Sequence, residues 1–182
     1  MSEISDSELL IQFRNESTRH SAFNLIVKKY QQKVYYHIRR IVISHDDAND
    51  VVQNTFLKAW KGLDRFREDS QLFTWLYRIA TNESITFLNQ KKSRMHISID
   101  EMETDIAGHL DGNPNFSGDR MQKKLQQAIL TLPEKQRLVF NMKYFENMKY
   151  EDMQKVTGTS VGALKASFHH AVKKIEKYLT KD

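Results

Sequence analysis

Histidines and acidic residues are common metal ligands and acid–base catalysts, and this 182-residue chain has 7 His and 23 Asp and Glu. His169 and His170 are adjacent, whereas two histidines that bind one metal ion from a helix are usually spaced i, i+4. Asp46, Asp47 and Asp50 are of the type found in metal-dependent nucleases, but no set of His or Glu accompanies them. The chain has no cysteine and no glycine-rich phosphate loop. We therefore expect no catalytic site, metal site, cofactor or small-molecule substrate, which predicts that the protein is not an enzyme.

The net charge of +5 is unevenly distributed along the chain. Residues 1–96 contain 15 Lys and Arg against 11 Asp and Glu, and residues 120–182 contain 13 against 6. Residues 97–119 contain 6 acidic residues and no Lys or Arg. Two basic blocks that flank an acidic strip favour a polyanionic partner such as nucleic acid. The alternative is that these charges serve only solubility.

Apolar residues recur at helical spacing through the first 92 residues, which contain a single glycine and no proline. One such stripe consists of Phe23, Val27, Tyr30, Val34, Ile38 and Ile41. Residues 96–119 break the pattern with three glycines and one proline, and helical spacing resumes at Met121. The sequence therefore predicts an all-α fold of two small helical domains, residues 1–95 and 120–182, joined by a flexible acidic linker over residues 96–119.

The second basic block has the signals of a helix-turn-helix. Pro133 is suited to a helix start, where its missing N–H costs nothing. Gly158 supplies a helix-ending turn, and Ser160 is a typical N-cap for the final helix. Two helices joined by a short glycine-containing turn predict a helix-turn-helix over this part of the chain.

The final helix has two faces of different chemistry. Val161, Leu164 and Phe168 form an apolar face. The opposite face presents Lys165, Ala166, His169, Lys173 and, at its edge, His170. A recognition helix has this arrangement, because base edges meet its N-terminal half and phosphates meet cations further along. The alternative is a solvated amphipathic helix in a bundle.

Three parts of the sequence resemble segments of one known protein family. Residues 132–145, 150–153 and 158–165 together resemble the promoter −35 reader of extracytoplasmic-function (ECF) sigma factors. Residues 46–60, DDANDVVQNTFLKAW, look like the polymerase-binding helix of that family. Residues 73–82, FTWLYRIATN, look like its −10 recognition segment. The resemblance covers about residues 18–92 and 121–180, with the segments in the family's order. It implies a sigma factor that directs promoter-specific initiation of transcription by −10 and −35 recognition and −10 melting.

The resemblance implies that the loop of residues 64–71, termed the −10 loop below, takes up a flipped-out base of the melted promoter. An aromatic ring beside cations suits an unstacked base, since stacking contributes about 1–3 kcal/mol per base. The implied −10 contacts are Phe66, Arg67, Ser70, Arg78, Asn82, Lys91 and Lys92. The alternative for Phe66 is a core residue that caps the helices, and the alternative for the two lysines is an ordinary basic helix end.

The same resemblance places Asp46, Asp50, Gln53 and Asn54 on the face that docks on core RNA polymerase. Carboxylates and amides on one helical face suit a basic partner. Ser44, with an acid three residues on, is a typical N-cap for this helix. Acids near a helix start also complement the helix dipole, which is the alternative for Asp46 but does not extend to Gln53 or Asn54.

At the promoter −35 element, the resemblance assigns contacts to Lys165, Ala166, His169, His170 and Lys173. His169 and His170 stand where relatives commonly carry Arg or an aromatic residue. We expect a weaker or shifted −35 preference, because fewer Arg residues make fewer bidentate guanine contacts.

Three further positions depart from the family pattern. Thr86 stands where many relatives carry Asp, Lys149 where a Ser usually caps a helix, and Gln154 where a small Ala usually packs. These departures bear on the promoter sequence that the protein prefers and not on its function.

The implied partners are core RNA polymerase, promoter DNA and an anti-sigma factor. A free-standing helix-turn-helix regulator is the main alternative, and a sigma-like interaction protein that does not initiate is the second. The polar N-terminus and the lack of cysteine lead us to expect a cytoplasmic protein.

Overall fold

The structure is a computed structural model that describes residues 4–95 and 120–180. Over these residues it contains helices and no strand, which confirms the predicted all-α class. The α-helices are α1 (Asp6–Arg14), α2 (Arg19–Val42), α3 (His45–Gly62), α4 (Leu72–Met95), α5 (Arg120–Leu130), α6 (Glu134–Tyr144), α7 (Tyr150–Thr157) and α8 (Val161–Leu179), with a 3₁₀ turn at Leu63–Arg65.

The chain divides into two compact units, Met1–Ile85 and Thr86–Asp182. The division falls inside α4, so the domain boundaries predicted at residues 95 and 120 remain predictions. The predicted linker over residues 96–119 lies outside the described residues.

Helix α1 begins with a reciprocal cap. The N–H of Glu8 donates to the Ser5 hydroxyl at 3.3 Å, and the N–H of Ser5 donates to the Glu8 carboxylate at 3.0 Å. The pKa of Glu8 is held below its usual value of 4.5, first by the bond that the Ser5 N–H donates to its carboxylate and then by the Ser5 hydroxyl, which donates to the same carboxylate at 2.9 Å. The cap therefore stabilises the helix start while Glu8 is ionised.

Helix α2 supplies much of the first unit's core. Tyr30, Val34, Ile38 and Ile41 are buried as the apolar stripe predicted. The two N-terminal members of the stripe, Phe23 and Val27, are half-buried, and the fully buried residues there are Ala22 and Ile26. The physical reason is that α2 packs against both α1 and α3, so its buried face is wider than one stripe. Phe23 still contributes to an aromatic cluster, with its ring 5.0 Å from that of Trp60.

Helix α3 is capped and packed as expected. The hydroxyl of Ser44 accepts from the N–H of Asp47 at 3.4 Å, which confirms the predicted N-cap. One face of the helix is buried and consists of Ala48, Val51, Thr55, Phe56 and Ala59. The opposite face is thereby left to carry polar residues.

Helices α5 to α8 form the second unit's core. Ala128 and Ile129 of α5 and Phe140 of α6 pack with Ala171 and Ile175 of α8. This packing leaves one face of α8 outside the core.

The turns of the helix-turn-helix follow the sequence signals. Gly158 ends α7 with a φ of 71°, a left-handed value that glycine adopts without steric cost. The Ser160 hydroxyl accepts from the N–H of Ala163 at 3.4 Å, which confirms the predicted cap of α8. Pro133 lies at the N-cap of α6, one position before its first helical residue. Lys149 is the N-cap of α7 and provides no side-chain cap, as the departure from serine at this position implies.

Candidate polymerase and nucleic-acid interface

The −10 loop begins within the 3₁₀ turn at Leu63–Arg65 and leads into α4. Phe66 is only 7% exposed, and its ring centroid lies 5.1 Å from that of Trp75. In this conformation the ring is part of the core, as the alternative expectation held, and it has no face open to a base. Arg67 is exposed and Ser70 is half-buried, so these two side chains are the predicted contacts that the loop presents at the surface.

Trp75 is held by a close approach that the sequence analysis missed. A Cβ at Gly62 would lie 3.3 Å from the ring of Trp75, closer than most such contacts. Gly62 lies at the end of α3, so the indole occupies the space beside a helix end that carries no side chain. The lone glycine within an otherwise unbroken helical stretch was the signal that pointed to such a contact.

Helix α4 presents a strip of exposed residues four apart. Arg78, Asn82 and Thr86 are all exposed, and residues at i and i+4 share one helix face. Lys91 and Lys92 are half-buried near the end of the same helix. The structure therefore brings Arg78 and Asn82 together on one surface, and it places the two lysines two to four turns further along.

A buried polar contact positions this part of α4. His37 and Thr81 are both buried, with the His37 Nε2 2.8 Å from the Thr81 Oγ1. The His37 ring also lies 4.3 Å from that of Tyr77, whose hydroxyl donates to the carbonyl of Lys33 at 3.2 Å. These contacts join α2 to α4 on either side of Arg78 and just before Asn82. The sequence analysis missed His37, because a histidine within a helical stripe carries no local sign of its partner.

The candidate polymerase-binding face of α3 is exposed. Asp46, Asp50, Gln53 and Asn54 all lie on the face opposite the buried residues of the helix. Leu57 extends this face and is 59% exposed, although it is a large apolar side chain. Its position four residues after Gln53 is a signal that the sequence analysis did not use. An exposed leucine beside carboxylates and amides suits a protein partner better than a nucleic acid.

Helix α8 presents the candidate −35 surface. Lys165, Ala166, His169, His170 and Lys173 are all exposed. The opposite face of α8 packs into the core of the second unit. The structure therefore brings all five sequence-predicted residues onto the outward-facing part of one helix.

Tyr150, at the start of α7, lies beside the first of these cations. The ammonium of Lys165 is 5.7 Å from the centroid of the Tyr150 ring, and that of Lys143 is 5.0 Å from it. A cation over an aromatic face is attracted by the ring quadrupole. Tyr150 therefore favours a position of Lys165 close to the turn, a role that the sequence analysis did not assign.

No cluster of three or more His, Asp or Glu side chains placed to hold a metal ion occurs within residues 4–95 and 120–180. Within the same ranges, no helix combines the length and the apolar character that crossing a bilayer requires.

An exposed acidic and amide face on one helical unit and a basic-faced helix-turn-helix in the other define a two-part protein with one surface suited to a protein partner and one suited to DNA. The family description "Sigma-70 region 2" matches residues 26–94, and "Sigma-70, region 4" matches residues 122–175. The chain is 33% identical over 168 residues to the RNA polymerase sigma-H factor of Pseudomonas aeruginosa, covering 87% of this chain and 86% of that protein. It is 32% identical over 184 residues to the ECF RNA polymerase sigma-E factor of Escherichia coli K12, covering 97% and 95%.

Solved structures share the fold. The sigma factor RpoE from Bartonella quintana, solved in complex with the anti-sigma factor NepR, superimposes with a TM-score of 0.69 at 22% identity, covering 88% of this chain and 98% of that one. CnrH, solved in complex with the cytosolic domain of CnrY, has a TM-score of 0.68 at 22% identity, covering 97% and 99%.

The chain belongs to the sigma-70 family, in its extracytoplasmic-function group. Its function is promoter-specific initiation of transcription as a subunit of RNA polymerase holoenzyme. This confirms the expected family and function. The free-standing regulator loses its support, because both sigma regions are present in one chain.

Proposed function

We propose that this sigma factor binds core polymerase, the −35 element and the −10 element through three separate surfaces. The exposed face of α3, comprising Asp46, Asp50, Gln53, Asn54 and Leu57, docks on a basic surface of core polymerase. The exposed face of α8 enters the −35 major groove. The −10 loop and the outer face of α4 take up the melted −10 element. The observation that carries the proposal is that every residue assigned to α3 and α8 is exposed, on a helix whose other face is buried.

At the −10 element, exposed Arg67, Arg78 and Asn82 meet the DNA directly, with Ser70 at the edge of the loop. Phe66 supports this site from the core, because its buried ring packs against that of Trp75. Lys91 and Lys92, further along the same helix, contact phosphates of the DNA backbone. A cation and an amide on one helix face can bind a phosphate and a base edge together.

At the −35 element, the N-terminal half of α8, with Lys165, Ala166 and His169, faces the base edges, and His170 and Lys173, further along, lie where phosphates approach. This division follows the geometry of recognition helices, whose N-terminal half reads bases. Without an arginine on this face, fewer bidentate guanine contacts are available. We therefore propose a −35 preference that tolerates replacement of guanine.

The proposal includes three further points. The protein has no catalytic activity of its own, and it supplies DNA binding to the catalytic core enzyme. It acts in the cytoplasm, where bacterial polymerase works. An anti-sigma factor holds it inactive, which is supported by the NepR complex of a structural neighbour. Affinity purification from cells that recovers core polymerase but never an inhibitor would count against the last point.

Run-off transcription tests the function. Purified core polymerase is supplied with a library of genomic fragments, with and without this protein. New, discrete start sites that appear only with the protein are the expected result. Binding to core polymerase without any transcript would instead indicate the sigma-like interaction protein.

Matched variants separate the surfaces. Asp50→Arg places a cation on the α3 face and should abolish both core binding and transcripts, because the proposed partner surface is basic. A −35 variant, Lys165→Ala, should keep core binding and reduce transcription from the same start sites. Loss of core binding by Lys165→Ala would contradict the assignment of separate surfaces to polymerase and DNA, since α8 is not assigned to polymerase.

A further inference from the structure

Two arginines from the first two helices reach the −10 loop. The Nη2 of Arg14, in the last turn of α1, lies 2.7 Å from the Oε1 of Glu68. Arg19, the first residue of α2, forms an ion pair with Asp64. The partners are 54 and 45 residues apart in sequence. The loop is therefore attached at two points to a part of the chain that is distant in sequence.

Glu68 has an unfavourable backbone conformation that contacts from elsewhere in the protein must stabilise. Its φ is 59°, in the left-handed region that residues with a Cβ seldom occupy. A strained backbone position persists only where the surroundings hold it. Arg14 supplies the contact that holds Glu68 there, and Arg67, the predicted DNA contact, is its immediate neighbour.

Arg19 is itself held in place by aromatic rings. Its guanidinium carbon lies 4.4 Å from the centroid of Phe13 and 5.3 Å from that of Trp60. The ring of Phe13 contacts that of Trp60 edge-on at 5.3 Å. Because the two rings already restrict the Arg19 side chain, little further side-chain entropy is lost when it forms the ion pair with Asp64. The aromatic cluster of α1, α2 and α3 thus anchors the start of the loop.

Both arginines lie outside the match to sigma-70 region 2, which begins at residue 26. We infer that Arg14 and Arg19 are positioning residues for −10 recognition, which hold the −10 loop in its DNA-binding shape before DNA arrives. The inference rests on the proposed role of the −10 loop. A loop that is ordered in advance binds more tightly, because less ordering remains to be done on binding.

The test uses the full chain and its holoenzyme. Hydrogen exchange of the free protein reports the order of residues 64–71. Binding of holoenzyme to a fork-junction DNA, built on a start site mapped by run-off transcription, reports −10 capture. The variants are Arg14→Ala, the conservative Arg14→Lys, Glu68→Gln and the double variant Arg14→Ala with Glu68→Gln. The control is Lys29→Ala, because the Lys29 Nζ lies 3.0 Å from the Asp6 Oδ1 and ties α1 to α2 without touching the loop.

We expect Arg14→Ala to speed loop exchange and to weaken fork-junction binding by about threefold to fivefold, the upper range for an exposed ion pair. Arg14→Lys should restore most of both. The double variant should be no weaker than either single variant, since the two side chains act through one contact. Affinity for core polymerase should not change in any of them, and Lys29→Ala should match wild type in both assays.

Three results would overturn the inference. Fork-junction binding by Arg14→Ala that equals wild type would show that the contact does not serve DNA capture. An equal loss in Lys29→Ala would assign the effect to α1 packing in general. Loop exchange unchanged by Arg14→Ala would show that the arginine does not order the loop. Wild-type holoenzyme that starts no transcript would instead refute the proposed function, while the exchange measurement would still decide whether Arg14 orders the loop.

Discussion

Replacing Lys173 by alanine tests the −35 surface through the salt dependence of binding. Lys173 lies on the exposed face of α8, eight residues after Lys165, and it makes no ion pair within residues 4–95 and 120–180. Its charge is therefore available to a phosphate. Each phosphate that a cation neutralises contributes about 0.9 to the slope of log K against log salt, so Lys173→Ala should lower the slope by about 0.9.

The assay is fluorescence anisotropy of holoenzyme on a promoter duplex, measured over a tenfold range of salt. A change of 0.9 in slope means that the affinity ratio of wild type to variant changes by about eightfold over that range. The matched control is Lys123→Ala, which removes the same charge from α5. That helix packs through Ala128 and Ile129 on the apolar side of α8, so Lys123 does not belong to the proposed DNA-binding face of α8. Equal slopes for wild type and Lys173→Ala, or an equal drop in both variants, would refute the assignment of this face.

The remaining predictions concern stability. Leu164→Ala should lower the free energy of unfolding of the second unit by about 2–5 kcal/mol in urea titrations, because the side chain is 0% exposed; a loss well below this range would mean that the site collapses around the cavity. Ser160→Ala should cost about 1 kcal/mol and Ser160→Gly only a few tenths, since glycine is also a good N-cap, and equal losses would argue against the cap. The pKa of Glu8 is lower in the folded state than its usual value of 4.5. The ionised carboxylate therefore contributes its full stabilisation of α1 above pH 4.5, and this stabilisation is lost as the pH falls below 4.5 towards the folded-state pKa. Amide exchange in α1 should therefore accelerate as pH falls through this window, relative to intrinsic rates, in wild type but not in Ser5→Ala.

Much of the fold follows from local sequence. The helix starts at Ser44 and Ser160 and the stop at Gly158 were all predictable, because a cap or a left-handed turn depends on residues within one helical turn. The outward faces of α3 and α8 were predictable for the same reason, since a period of 3.6 residues separates buried from exposed positions. The width of the buried face of α2 differed from the expectation, because two neighbouring helices cover it.

The −10 region shows what local sequence could not settle. Phe66 was assigned both a base-stacking role and a core role, and its packing on Trp75 decides for the core in this conformation. Leu57 and Tyr150 were not assigned at all, because an exposed leucine and a ring beside two lysines become informative only when their neighbours are known.

The sequence by itself determined the all-helical class, the family and the exposed faces of α3 and α8. Only the tertiary structure showed that Arg14 reaches Glu68, that Arg19 reaches Asp64 and that His37 meets Thr81. These partners lie 44 to 54 residues apart. No helical period relates residues at such separations, so their contacts depend on how whole helices pack, and that packing sets the shape of the −10 loop.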